Sequence, residues 1–266
     1  MIMTLHDRLF LAPIEDPKQI LDVGELHPHP PLSNSDADQA LRDWHRHMGN
    51  VRFKANHPQH HLLIFTPSDI ADKFPSANVI GTDLSPIQPG QQPSNVTFEI
   101  DDCCSDWIYP ESHFDFVHLR GLFGSIADWP AFYSQAFKHI KPGGYIEQVE
   151  WSVHNRCQDG RLSPNGVLSR WSSSFVEAGT RSGKTFEIAE NMAGLVREAG
   201  FIDVSERRFK WPVGPWSSDP KMKEIGRWNL LNWDEGMEGW AMAAFTRVLG
   251  VSSGTRIGRI EAALLT

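Results

Sequence analysis

Residues 95–121 read NVTFEIDDCCSDWIYPESHFDFVHLRG: two short apolar runs, Asn95 to Ile100 and Phe114 to Leu119, each closed by residues that end a strand. Asp101 and Asp102 stand behind the first run, Arg120 and Gly121 behind the second. Runs of this length, rich in β-branched and aromatic residues and bounded by turn formers, have the form of buried parallel strands. Upstream, Asn78 to Asp83 (NVIGTD) repeats the pattern, preceded by the helix-like DIADKFP and followed by Leu84-Ser85-Pro86. Further upstream, Lys18 to Gly24 (KQILDVG) predicts the first strand. Downstream, Trp129 to Ile140 carries Phe132, Ala136, Phe137 and Ile140 at helical spacing. The breakers Lys141-Pro142-Gly143-Gly144 then end that helix before a fifth strand, Tyr145 to Val149. Strands alternating with helices through short loops predict an open, mostly parallel α/β sheet with helices on both faces, whose ligands sit beyond the carboxyl ends of the strands.

After Trp151 the texture changes. Ser163 to Gly179 places Leu168, Trp171, Phe175 and Val176 at helical spacing and reads as a cap. Glu187 to Gly200 is an amphipathic helix with Gly200 in the stop position, and Phe201 to Phe209 predicts the next strand. The aromatic stretch from Trp211 onward, with Trp216, Trp228, Trp233 and Trp240, is expected to form core for the cap. The last residues, VSSGTRIGRIEAALLT, carry no strand pattern.

A length of 266 residues fits one large α/β domain or two small ones. The 33 acidic residues outnumber the 25 basic ones, for a net charge of -8, so the basic footprint selected by a phosphate backbone is lacking and direct nucleic-acid binding is not expected. No apolar run reaches the ~20 residues that span a bilayer, and Met1 to Leu11 lacks the form of a secretory signal. Cys103, Cys104 and Cys157 cannot all pair within one chain and do not have zinc-site spacing, which predicts a reducing, intracellular setting, cytoplasmic or nuclear.

Residues 25–68 are foreign to this pattern. They include HPHPP at 27–31, HRH at 45–47 and HPQHH at 57–61, and hold seven of the twelve histidines. A connection of this length inside a compact domain is uncommon. Imidazoles can bind metals, but no cysteine or well-placed acid completes a ligand set, so no metal site is expected. The domain reading is therefore 1–24 and 69–150 as a cofactor-binding core, 25–68 as a His/Pro-rich, poorly ordered insertion, and 151–266 as a helical cap plus the remainder of the sheet.

An acid at the end of the second strand, Asp83, is placed to accept from both ribose hydroxyls of a nucleotide lying across the strand ends, or else to cap a turn. Asp101 or Asp102 could accept from an adenine amino group while Cys103 or Cys104 packs on the ring. Either acid could equally be a plain turn residue. Asp22 could support the following loop or reach a ligand ammonium.

Together these features resemble the class I S-adenosylmethionine-dependent methyltransferases, specifically the fungal, LaeA-like branch related to velvet-associated regulators of secondary metabolism. The carriers are FLAPIEDPKQILDVG (10–24), DIADKFPSANVIGTDLSPIQP (69–89), residues 95–129, FYSQAFKHIKPGGYIEQVEW (132–151) and FKWPVGPWSSDPKMKEIGRW (209–228). The resemblance implies a Rossmann-like, seven-stranded sheet, S-adenosyl-L-methionine as methyl donor, and a small-molecule acceptor under the region after Trp151. By position it implies cofactor contacts from Asp22, Gly24, Asp83, Leu84, Asp101, Asp102, Cys103, His118 and Arg120. Two departures stand out. The glycine loop that should follow Gly24 is replaced by Glu25-Leu26-His27-Pro28, and the chain stops where the family continues into the strand that completes the sheet.

Two functions follow from the resemblance: methyl transfer to a small molecule of fungal secondary metabolism, or a weakly catalytic or non-catalytic regulator acting through a velvet-type protein partner. His118, Glu150 and His154, near strand ends, are the candidate proton acceptors. A nicotinamide oxidoreductase is disfavoured, since no G-x-G-x-x-G follows the first strand.

Overall fold

Period-two alternation and β-branched content place the strands, and the structure, a computed structural model, describes residues 2–10, 50–54, 67–84, 92–157 and 159–250. In chain order these form β1 (Ile2–Phe10), β2 (Asn50–Lys54), α1 (Pro67–Lys73), β3 (Asn78–Asp83), β4 (Val96–Ile100), β5 (Phe114–Arg120), α2 (Trp129–His139), β6 (Ile140–Trp151), α3 (Val167–Ser182), α4 (Ile188–Glu198), β7 (Ser205–Pro212) and α5 (Pro220–Ala241). A π-helical turn, Met242–Val248, follows α5.

The seven strands make one sheet in the order β4-β3-β2-β5-β6-β1-β7. β3 pairs parallel with β4 and β5 with β6, while β2 is antiparallel to β3 and β5, and β1 is antiparallel to β6 and β7. These pairings make β3 to β7 run the same way, with β1 and β2 reversed. The carboxyl ends of the co-directional strands therefore share one edge, which is where open α/β sheets bind ligands.

Helices cover both faces, as expected. On one face α1 sets Ala71 against Val79 and Val96, with Phe98 and Phe116 packed alongside. On the other, α2 and α4 bury Phe132, Tyr133, Ala136, Met192 and Val196 against Val117, Leu119 and Ile146. The start of α2 is set by Asp128, whose side chain accepts from the Ala131 N–H at 2.9 Å, and by Pro130 in the first turn, where a missing N–H costs nothing. A separate aromatic core holds the cap together: Trp171 and Phe175 of α3 against Trp233 and Met237 of α5 and Phe245 of the π-helical turn. Trp233 and Trp240 thus enter the cap core as expected, whereas Trp216 and Trp228 stay partly open to solvent, at 53% and 38% exposure.

Several boundaries differ from the sequence reading. The breakers Lys141 to Gly144 do not separate α2 from β6 but lie within β6, which starts at Ile140 directly after the helix. The register explains this: Phe114 is opposite Ile140 and Phe116 opposite Tyr145, so the intervening residues bulge out of the pairing. Gly144 is needed there, because a Cβ would lie 2.8 Å from the Asp115 carbonyl oxygen. β7 begins at Ser205 rather than Phe201, since the chain continues turning through Gly200 (φ 106°) and Asp203 (φ 55°) while Phe201 packs edge-on against Phe137.

The expectation that the sheet lacks its completing strand is corrected at β1. Residues Ile2–Phe10, to which the sequence reading gave no element, lie between β6 and β7 and pair with both, His6 opposite Glu150 and Arg208. Strand Asn50–Lys54 likewise comes from the stretch 25–68, and its Val51 is opposite Gly81 and His118. The predicted first strand, Lys18 to Gly24, lies outside the described residues, as do 251–266.

Candidate functional site

β3, β4 and β5 end at the same edge of the sheet, and their terminal residues fix what that edge presents. Asp83, the last residue of β3, is opposite Ile100, the last of β4, and its carbonyl accepts the Asp101 N–H at 3.0 Å. This brings the carboxylates of Asp83 and Asp101 to neighbouring strand exits. Asp83 is half-buried, and Leu84 beyond it is 70% exposed. Asp101 Oδ1 accepts the Asp102 N–H and Asp102 Oδ1 the Cys104 N–H, each at 2.9 Å, so the two acids build a tight turn from one oxygen each. Cys103 is half-buried and packs against the apolar core, while Cys104 is exposed. Burial and the charge of Asp102 raise the Cys104 thiol above its ordinary value. All three cysteines are free thiols. The ligand atoms of Asp102, Cys103 and Cys104 lie within 4.8 Å of one another, but on the surface, in a turn whose acid is engaged with backbone.

β5 leaves the sheet at Arg120 and Gly121. Arg120 lies 5.7 Å from the Trp151 ring centroid, in cation–π contact, and the Gly121 N–H donates to the Val149 carbonyl. His118 is earlier in the strand, 7% exposed, with Nδ1 2.8 Å from Glu147 Oε2 on β6. His118 and Glu147 are direct register partners, which explains the pairing. Glu150 is fully buried: Oε1 accepts the Leu122 N–H at 2.9 Å and Oε2 the Phe123 N–H at 3.2 Å. Gln148 Nε2 donates to the same carboxylate, and the Tyr133 hydroxyl donates to Gln148 Oε1 at 2.5 Å. Burial pushes the Glu150 carboxyl up to about 7 against the lowering effect of these hydrogen bonds, and burial together with Glu150 pushes the Tyr133 phenol well above its ordinary value.

The loop held by Glu150 continues toward the cap. Phe123 packs edge-on against Trp151 and Phe186, each at 5.9 Å between ring centroids, and the Gly124 N–H donates to the Thr185 carbonyl. Gly124 has a φ of 72°, and a Cβ there would meet the Phe186 ring at 2.3 Å, so only glycine lets these segments meet. Phe186 precedes Glu187, whose carboxylate is 2.8 Å from His154 Nε2. His154 lies just beyond the end of β6, where its N–H donates to Ser152 Oγ. Ser152 in turn donates to Glu190, which also pairs with Arg156 and Arg208. Between the β6 exit and α3 is a cavity of about 350 Å³ lined in part by His154, Glu187, Asn155 and three serines of α3.

The structure thus brings Asp83, Asp101 and Asp102 together at one edge, with Arg120 on the same edge but across β2 at the β5 exit, and separates the three candidate proton acceptors. His118 is inside the sheet, Glu150 is beneath a loop, and His154 lines the cavity at the β6 exit. Asp22 and Gly24 lie outside the described residues. Glu147 and Glu187, the partners of the two histidines, were not legible in advance. The proximity of Glu187 to Glu190 at the start of a helix was visible, but pairing across 33 residues has no local signature.

Residues 60–206 match the family profile described as "Methyltransferase domain". "Methyltransferase pytC" of Aspergillus terreus is 37% identical over 249 residues, covering 92% of this chain and 65% of that protein. "Secondary metabolism regulator LAE1" of Cochliobolus heterostrophus is 38% identical over 182 residues, covering 68% of this chain and 59% of that protein. "Probable methyltransferase tdiE" of Emericella nidulans is 33% identical over 180 residues, again 68% of this chain and 56% of the relative. The chain spans less than two thirds of the length of each of these relatives. Among the described residues no helix is long and apolar enough to cross a membrane.

Proposed function

Since the chain belongs to the methyltransferase-domain family, whose members generally use S-adenosylmethionine and whose fold is Rossmann-like, we propose that it transfers the methyl group of that cofactor to a small molecule of fungal secondary metabolism. The observation that carries this reading is the convergence of Asp83, Asp101 and Asp102 at the adjoining exits of β3 and β4, on the same edge of the sheet as the β5 exit at Arg120. The donor chemistry fits. A nucleoside offers two ribose hydroxyls and an exocyclic amine, all donors, and this edge offers carboxylate acceptors: Asp83 for the ribose, and the second oxygens of Asp101 and Asp102 for the amine. Leu84 and Cys103 supply apolar surface for the base. Asp22 and Gly24 complete the cofactor contacts in this reading.

The bound cofactor supplies a methyl group on a sulfonium, which leaves as a neutral thioether, so the chain's task is alignment of the acceptor and exclusion of water. Glu150 holds the Leu122–Phe123 backbone and thereby the wall between the β5 exit and the cap, a positioning role. His118, closed off by Glu147, stiffens the sheet beneath. Residues 1–24 and 69–150 then form the cofactor half, joined in its sheet by β2 from within 25–68, and 151–266 the acceptor half. An intracellular site of action, cytoplasmic or nuclear, goes with the free thiols.

Calorimetric titration of the full chain with S-adenosylhomocysteine tests the reading. Binding that weakens at least tenfold in Asp83→Ala, the order expected for losing hydrogen bonds to a charged acceptor, supports it. A folded chain that binds no S-adenosylhomocysteine overturns it and favours the second reading. That reading, a regulator acting through a protein partner, draws on the likeness to LAE1.

A further inference from the structure

The cavity between the end of β6 and α3 is walled by hydrogen-bond acceptors. Ser169 Oγ donates to the Ser163 carbonyl, Ser172 Oγ to the Leu168 carbonyl and Ser173 Oγ to the Arg170 carbonyl. Ser169 and Ser173 have therefore given their only proton to the backbone and keep lone pairs for an incoming donor, whereas Ser172 Oγ is filled, accepting both the Asn155 N–H and its Nδ2. The Asn155 amide is spent in the same way, on the Leu168 carbonyl and Ser172 Oγ. Glu187 can only accept, and by holding His154 at Nε2 it fixes the ring proton there. Nδ1 is then the acceptor of the imidazole, and it has no hydrogen-bond partner among the described residues. Glu190, three residues along, does not compete for His154, because Ser152, Arg156 and Arg208 surround it.

A wall of acceptors with no donor to offer selects a ligand that brings its own donors. Carboxylates and phosphates are excluded, since they would add negative charge and further acceptors beside Glu187. An alkylammonium brings donors and a charge that Glu187 attracts, but it has no lone pair for methylation until it loses a proton, so it cannot react in the form that binds. A neutral hydroxylated ring meets every condition, donating and reacting from the same oxygen. Val176 supplies apolar wall for such a ring.

We propose that this cavity is the acceptor site, that it takes a neutral polyhydroxylated, phenol-like molecule, and that His154 receives the acceptor's hydroxyl proton at Nδ1 while Glu187 holds Nε2–H. This rests on the methyl-transfer reading above and assigns the substrate class within it. The step balances. An oxygen lone pair of the acceptor forms the new O–C bond, the S–C bond breaks with its electron pair going to sulfur, and the O–H proton passes to Nδ1, from which solvent later takes it. The cavity lies beyond the carboxyl end of β6, the edge at which β3, β4 and β5 also end, and the loop after β5 is tied to the segment before Glu187 by the Phe123–Phe186 contact and the Gly124–Thr185 hydrogen bond.

The test uses the full chain labelled with ¹⁵N and ¹³C at histidine, with the His154 resonances assigned by their loss in His154→Gln. Catechol, benzoate and benzylamine are titrated separately, with and without S-adenosylhomocysteine, whose own binding is followed by calorimetry. Catechol should shift the His154 signals saturably in the millimolar range, with Nε2 protonated and Nδ1 accepting. Filling the cavity with Val176→Trp should weaken this at least tenfold. Benzoate and benzylamine should bind more weakly than catechol. The proposal is overturned if catechol produces no saturable shift, if benzoate or benzylamine binds as tightly, or if Nδ1 carries the proton. Failure of the cofactor reading shows separately: S-adenosylhomocysteine would not bind, whatever catechol does.

Discussion

Glu150 accepts the Leu122 N–H at 2.9 Å from a position with no solvent exposure, so a carboxyl buried beneath the sheet edge anchors the loop that joins the cofactor half to the cap. Its raised folded-state value of about 7, against 4.5 for the ordinary group, means that the folded chain holds this proton more tightly than the unfolded one. The resulting stabilisation is complete below about pH 4.5 and is lost as the pH rises toward 7. For a fully buried group the change amounts to up to about 3 kcal/mol, at roughly 1.4 kcal/mol per unit. Urea unfolding at pH 4.5 and pH 7.5 should show this decline in the natural chain and a smaller one in Glu150→Gln. Equal pH dependence in the two proteins would contradict it.

Tyr133→Phe should destabilise by about 1 to 3 kcal/mol, because it leaves Gln148 Oε1 without its donor in a site with no access to water. The phenol is 0% exposed, so packing is conserved in the variant and the loss isolates the hydroxyl. Denaturant midpoints at matched slopes measure it.

Gly124→Ala should cost about 2 to 4 kcal/mol. It combines a left-handed backbone with a methyl group driven into the Phe186 ring. Shortening the ring in a Gly124→Ala, Phe186→Leu double variant relieves the clash but not the backbone strain, so a double-mutant cycle should recover part of the loss. Full additivity would show that the two segments do not press on each other.

Trp171→Ala should remove about 3 to 5 kcal/mol from the cap, since Trp171 is 4% exposed and touches Phe175, Trp233 and Phe245 at ring distances of 5.2 to 5.8 Å. The aromatic core of the cap is distinct from the core beneath α2 and α4. Amide exchange should therefore quicken in α3 well before β5. By contrast, Arg181→Ala breaks only an exposed pair with Glu177, one turn away on α3, and should change stability by less than about 0.5 kcal/mol.

How much of this was legible in advance depended on the range of the forces involved. β3, β4 and β5 show themselves as apolar runs closed by Asp83, Asp101 and Gly121, because apolar, β-branched content and strand termination are local properties of a sequence. The pairing of β1 with β6 and β7 was not visible. Nothing in Ile2–Phe10 announces partners that come at Val149 and Ser205, and register is fixed by neighbours distant in sequence. The start of β7 was misplaced because Asp203 adopts a left-handed conformation that only its surroundings dictate. For the site, the acids at the strand exits were readable one by one, whereas the hydrogen bonds that separate His118, Glu150 and His154 into different roles arise only once the strands are side by side.

The position of β1 bears on how this chain reaches its fold during synthesis. Ile2 is opposite Pro212 and Phe10 opposite Ser205, so β1 cannot complete its pairing until β7, far along the chain, has been made. Until then the nascent chain carries an unmatched ribbon of backbone donors and acceptors, and the β6 edge that will receive it stays open to other chains. Closing so long a loop late makes folding slow relative to the stability gained. Slower translation across the codons for residues 152–204 would lengthen the exposure of that edge, and yield in the cell should depend on chaperones that shield a free strand.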